Sequence, residues 1–192
     1  MDHQPELTFK VATEPWEFEQ VHRLNYTTFV EEIPQHSPNP NRVLVDKLLA
    51  QSTCFICLDG SRLVGMVTVC GQRPFSLDAK LPDLDSYLPP SSRPCEVRLL
   101  AIQKEYRGAQ ILGGLLVCLI RHCRDAGYTV GLISAAASQQ RLYRHLGFVP
   151  FGPLLGTVRV PFQGMYITWE TLAKSAQGLG TRSQGFPLPS PP

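Results

Sequence analysis

A carboxylate and a guanidinium stand two residues apart in CEVRLLAI (95–102), at Glu96 and Arg98. The run is apolar and β-rich, and residues two apart on a strand share one face of a sheet. A carboxylate so placed can take a proton from an attacking amine, directly or through water. The arginine can hold that carboxylate, or one on a substrate, by a bidentate pair. Read without chemistry, the two are an ion pair at the margin of a core, and the residues alone leave both readings open. The strand is followed by a short basic turn with Arg107 and Gly108, then by an apolar helical pattern from Ile111 to Ala126. Free amides at a helix start and the helix dipole both favour an anion such as a phosphate. Tyr143 falls on a further helix, 138–146. Its phenol could protonate a leaving group or pack with its hydroxyl satisfied. Arg23, Glu31, Glu32 and Asp46 read most simply as solvated charges.

Other chemistries lack their residues. Cys54-x-x-Cys57 lies on a strand pattern, where a spacing of three sends the thiols to opposite faces, away from any shared tetrahedral metal. No second pair has a suitable spacing, so no metal is expected. His122, four residues after Cys118, reads as packing with a wet edge. No G-x-S-x-G elbow, Walker loop or H-E-x-x-H helix occurs.

These residues need elements to position them. LTFKVA (7–12) alternates as a strand. Thr13 or Glu14 with Pro15 opens a helix that runs to about Glu32 and is ended by Pro34. A second short helix is expected over 42–51. TCFICL and LVGMVTVC (63–70) are strands joined at Asp59-Gly60, a strong hairpin signal. Strand 95–102, the helix closed by Gly127, strand 128–134 and the helix closed by Gly147 follow. Strands near 148–152, 156–160 and 164–169 complete the order. Hairpins first and strand–helix–strand units later predict an α+β fold, with a mixed, mostly antiparallel sheet and helices on both faces.

A chain of 192 residues with 43% hydrophobic content can build one real core. Its net charge of +2 gives no field that would argue for nucleic acid or an anionic membrane. The longest apolar stretch, 111–120, is half of what a membrane helix needs. The polar N-terminus does not read as a secretory signal. Six cysteines, most of them inside apolar runs, suggest free thiols and a reducing, cytoplasmic compartment. Residues 1–174 read as a single domain. The Pro/Gly/Ser-rich segment 175–192, ending FPLPSPP, reads as a flexible tail.

EVRLLAIQKEYRGAQILGGLL (96–116) and QRLYRHLGFVPFG (140–152) together resemble the GNAT superfamily of acyltransferases. Arg107 matches the arginine of that superfamily's R-x-x-G-x-G turn; Tyr143, Gly147 and Phe148 match its later Tyr-x-x-x-Gly-Phe. Gln110 and Leu112 stand at the two pattern glycines, and Ala136 stands where many relatives carry asparagine. NYTTFVEE (25–32) and RPFSLDAKLPDL (73–84) are similar to the acyl-homoserine-lactone synthase and long-chain N-acyl amino acid synthase branch. FVEEIPQH, EVRLLA and LYRHLGFVPFGPL are also similar to acyltransferase domains fused to class V aminotransferases.

The resemblance implies a GNAT-like fold and an N-acyltransferase acting on a small-molecule amine such as an amino acid. The acyl donor would be a thioester on coenzyme A or on the phosphopantetheine of an acyl carrier protein. A carrier protein presents no adenosine pyrophosphate, which would make side chains at 110 and 112 less costly. The site would comprise Glu96 as base, Arg98 as its holder and Tyr143 as acid. The donor would meet Leu100, Ala101 and Ile102, the turn Arg107, Gly108 and Ala109, and the helix start at Gln110, Ile111 and Leu112. Phe29, Glu32 and Ser134 would line the substrate pocket, in a V-shaped gap between strands 95–102 and 128–134. The alternative is a non-catalytic acyl-thioester-binding module, or a partner module of a separate enzyme. A cleft plugged by Gln110 and Leu112 would favour it.

Overall fold

The structure, a computed structural model, describes residues 6–157 and 161–180. The N-terminal strand β1 (Leu7–Val11) runs into helix α1 (Pro15–Tyr26), which widens into a π-helical stretch over Thr27–Glu32. Pro15 sits in the first turn of α1, where a missing N–H costs nothing. The Glu17 carboxylate turns back to accept from the amides of Thr13 (2.8 Å) and Glu14 (3.1 Å) and from Lys10 Nζ (2.7 Å). These contacts satisfy two donors at the helix entry. Burial acts to raise the Glu17 pKa, but Lys10 and the two amides more than offset it and the net shift is downward.

Strands β2 (Ser52–Asp59) and β3 (Arg62–Cys70) form the expected hairpin, with Gly60 at φ +58° in the turn. Next come β4 (Pro94–Ile102), α2 (Ala109–Asp125), β5 (Val130–Ala136), α3 (Gln140–His145), β6 (Val149–Gly156), β7 (Pro161–Thr168) and α4 (Trp169–Gly180). The seven strands form one sheet in the order β1-β2-β3-β4-β5-β7-β6. The β4–β5 pair is parallel and the other pairs are antiparallel.

Alternation divides the sheet's residues between two cores. On one face Phe55, Val67, Ile133 and Ile167 pack with Leu115, Leu116 and Leu119 of α2 and Leu172 of α4. The ring of Phe9 sits where a Cβ on Gly114 would stand, 2.3 Å away, so α2 approaches β1 only because that residue is glycine. On the other face Ile56, Met66 and Ala101 pack with Val21 and Leu24 of α1. Farther along that face, Leu132 and Phe151 receive Phe75, Leu77, Leu81, Leu84 and Leu88. Burying each such side chain contributes roughly 1.5–3 kcal/mol.

Three local expectations change. Residues 42–51 form no helix, only a 3-10 turn at Leu49–Gln51. Arg42 lies at φ +52°, and Leu44 N donates to His22 O (3.0 Å), so the segment is strapped to α1 as irregular backbone. The strand expected near 148–152 runs on to Gly156 as β6, whose register shifts between Phe151 and Leu154, with Gly152 at φ +63°; most of the strand expected over 156–160 lies outside the described residues. The segment 175–180 belongs to α4 rather than to a tail: the Ser175 hydroxyl donates to Leu146 O (2.9 Å). The rest of the expected tail, 181–192, lies outside the described residues. The connection 73–94 between β3 and β4 is packed chain that supplies much of the third cluster. All six cysteines are free, and burial pushes the Cys54 and Cys57 thiols up to about 12.

Candidate active site

Strands β4 and β5 pair only from Pro94–Val130 to Glu96–Leu132. Beyond Glu96 they part, while β4 stays bonded to β3 and β5 to β7. The expected gap between the two strands is therefore present. Within it β4 bulges: Val67 of β3 faces two residues of β4, because Met66 pairs with Ala101 and Thr68 with Arg98. Leu99 takes φ +54° there, a left-handed conformation that costs a leucine about 1–3 kcal/mol. Backbone amides of β4 that face the gap have no strand to donate to, so they are available to an oxygen placed in it.

A cavity of about 890 Å³ occupies the gap and is lined from both faces of the sheet. Its walls differ. Toward α2 and α4 it is lined by Val67, Leu112, Leu116, Leu119, Ile133, Leu146, Phe148 and Leu172. Toward the opposite face it is lined by Phe29, Asp46, Ser76, Lys80, Glu96, Arg98, Ser134 and Phe162, among others.

Glu96 is 1% exposed. Its carboxylate accepts from Ser76 N (3.0 Å), Ser76 Oγ (2.6 Å) and Arg98 Nη1 (3.1 Å). Arg98 Nη2 donates to Asp46 Oδ2 (2.5 Å). Asp46 itself is held by accepting from Leu48 N (2.9 Å). Burial works against the Arg98 charge, but Asp46 and Glu96 outweigh it and raise the pKa. Arg98 Nε and Thr28 Oγ1 are buried without a partner among the described residues, and both residues line the cavity. Lys80 comes from the connection between β3 and β4 and sets its Nζ 4.1 Å from the centre of the Phe162 ring.

At the mouth, Arg107 Nε donates to Ile102 O (3.1 Å) and its Nη2 pairs with Glu32, so the turn is tied to the end of the π-helical stretch. Gly108 precedes α2 in extended backbone, and no side chain caps the first amides of the helix. Tyr143 packs edge-on against Phe148, with ring centres 5.5 Å apart, and burial pushes its phenol up to about 12.

Of the residues singled out from sequence, Glu96, Arg98, Tyr143, Leu100, Ala101, Ile102, Arg107, Gly108, Leu112, Phe29, Glu32 and Ser134 all line this cavity. Ala109, Gln110 and Ile111 do not. Gln110 is exposed on the first turn of α2, and Ile111 is 4% exposed against Gly65 of β3. Leu112 belongs to the apolar wall, and the cleft is open rather than plugged. Ser76, Lys80 and Phe162 were missed. Ser76 and Lys80 lie in the segment 73–84 that carries part of the resemblance, but only the packing of that connection on β5–β7 brings them to Glu96 and Phe162. Asp46, read as a solvated charge, is the second anchor of Arg98. Cys54 and Cys57 fall in cores on opposite faces. No group of three His, Cys, Asp or Glu able to hold a metal occurs among the described residues, and no helix there is long and apolar enough to cross a membrane.

A search of curated protein sequences returned no match. Solved structures do match. The N-acyl amino acid synthase FeeM from uncultured soil microbes superposes with a TM-score of 0.71 at 17% identity, over 91% of this chain and 99% of that one. BjaI, a CoA-dependent acyl-homoserine lactone synthase solved with SAM and isopentyl-CoA, gives 0.69 at 21% identity, over 85% and 82%. The acyl-homoserine lactone synthase LasI gives 0.73 at 13%, over 91% and 96%. At these identities the likeness speaks for the fold, which is GNAT-like as expected. The sequence profile of the FeeM N-acyl amino acid synthase family matches residues 20–166 of the 192. The chain belongs to that family and is an acyltransferase that moves an acyl group to an amine.

Proposed function

We propose that this protein condenses a fatty acyl thioester with the amino group of an amino acid, across the gap between β4 and β5. The observation that carries the reading is the two-sided cavity, apolar toward α2 and α4 and charged on the opposite face. The acyl chain lies in the apolar end and the amine enters from the charged end. The amine nitrogen attacks the thioester carbonyl, and its proton passes to Glu96 directly or through water. Oxygen charge in the tetrahedral intermediate is met by β4 amides at the Leu99–Ile102 bulge, as in an oxyanion hole. Collapse forms the amide and breaks the C–S bond. The thiolate leaves and takes a proton, for which Tyr143 is the nearby source. Arg98, fixed by Asp46, holds Glu96 in place.

The donor's phosphopantetheine runs along β4, and its phosphate meets Arg107 and the uncapped start of α2. Coenzyme A as carrier is supported by BjaI, which was solved with isopentyl-CoA. A carrier protein is favoured by Gln110, which puts a side chain at the first turn of α2, and by the Arg107–Glu32 pair, which leaves less free positive charge for a pyrophosphate. The six free thiols support a reducing, cytoplasmic location.

The test is intact-mass and free-thiol assay of the protein with acyl-coenzyme A and acyl carrier protein series and the twenty amino acids. Thiol release that requires an amino acid, with an N-acyl product, is expected. Tight thioester binding without turnover would instead favour a non-catalytic acyl-binding module.

A further inference from the structure

Three long basic side chains line the cavity: Lys80, Arg98 and Arg107. Arg98 spends both terminal nitrogens on Glu96 and Asp46, and Arg107 is paired with Glu32. The Lys80 ammonium makes no ion pair or hydrogen bond among the described residues and rests on the face of Phe162. It is held there by its segment. Leu77 and Leu81, on either side of it, are buried in the third core cluster, and Lys80 N donates to Leu77 O (3.0 Å). The same segment sends Ser76 to Glu96. One short stretch of chain therefore presents Lys80 to the cavity and, through Ser76, holds Glu96 of β4, on the charged face.

We infer that Lys80 binds the α-carboxylate of the acceptor, so that the enzyme selects amino acids over simple amines. This rests on the reading of the acceptor given above. An α-amino acid carries its carboxylate one carbon from the amine, so anchoring the carboxylate also aims the nitrogen at Glu96 and the thioester. Phe162 holds the lysine over the gap while the site is empty. Burial lowers the Lys80 pKa, opposed by Glu96 and aided by Arg98. An arriving carboxylate supplies the partner that such an ammonium lacks.

The experiment uses the full chain with saturating acyl donor. Acceptors are the amino acid of the twenty that releases most thiol and the amine bearing the same side chain without its carboxylate. The expected result is that Lys80→Met raises the KM for the amino acid about 10- to 100-fold, leaves that for the amine unchanged, and keeps the thermal midpoint. Lys80→Arg should restore most of the preference. An unchanged ratio of the two KM values in Lys80→Met, with wild-type turnover of the amino acid intact, overturns the role of Lys80. Failure of the wild type to release thiol with any of the twenty, while simple amines are acylated, overturns the amino acid reading and this inference with it.

Discussion

The two ends of the cavity are held in opposite ways. At the charged end every anion is fixed by another group: Asp46 holds Arg98, Arg98 and Ser76 hold Glu96, and the chain is bent to make these contacts. At the apolar end nothing is directional. Leu112, Leu116, Leu119 and Leu172 shape a volume, and any side chain that fills or empties it is tolerated at a packing cost. Chemistry therefore resides where geometry is over-determined, and substrate length is set where it is not. A substitution at one end should abolish turnover, and one at the other should retune it.

The largest effect should come from Glu96→Gln, which keeps the shape but cannot accept a proton. The kcat should fall about 10²- to 10⁴-fold with the circular dichroism spectrum retained. Unchanged turnover would remove Glu96 from the mechanism and dissolve the contrast. Next is Leu116→Trp, which fills the apolar end. Long-chain donors should lose about 10- to 200-fold in kcat/KM relative to short ones, at an overpacking cost of about 1–3 kcal/mol. A uniform loss at every chain length would show that the chain lies elsewhere.

Arg107→Ala sits at the mouth, between the two regimes. Its side chain is partly exposed, so the donor KM should rise by about tenfold, with a shallower salt dependence. A change in the acceptor KM alone would move the donor phosphate away from this turn.

Tyr143→Phe should have the smallest effect, about tenfold or less in kcat, because a thiolate leaves readily near neutral pH. An acid must carry its proton to act, and burial holds this phenol at about 12. Tyr143 therefore stays protonated in the working range, and no loss from its ionisation is expected below about pH 10. An alkaline limb below that pH that vanishes in Tyr143→Phe would contradict the assignment.

Much of this was legible beforehand because it is local. Asp59-Gly60 makes its hairpin through turn chemistry, and Gly127 and Gly147, at φ +73° and +95°, end α2 and α3 as helix caps do. Glu96 and Arg98 share a face because strands alternate. The family motifs pointed to Arg107, Tyr143 and the gap. What failed was irregular. Residues 42–51 carry a helical scatter of apolar residues, yet tertiary bonds to α1 and to Arg98 win over propensity. The packing of the connection 73–94 was not legible either, because its leucines follow neither period.

The amino-acid sequence by itself determined β1 to β5 and α1 to α3, the order in which they come, and the carboxylate–arginine pair on β4. These depend on contacts within a few residues, on turns and on periodicity. The tertiary structure alone decided that β5 leaves β4 after one short parallel stretch, that Leu99 is forced into a bulge, and that Asp46, Ser76 and Lys80 meet Glu96 and Arg98. Those contacts join residues 20 and 52 positions apart. Closing such loops costs entropy that no local pattern records. The cost is recovered only when the whole sheet and both of its faces are packed.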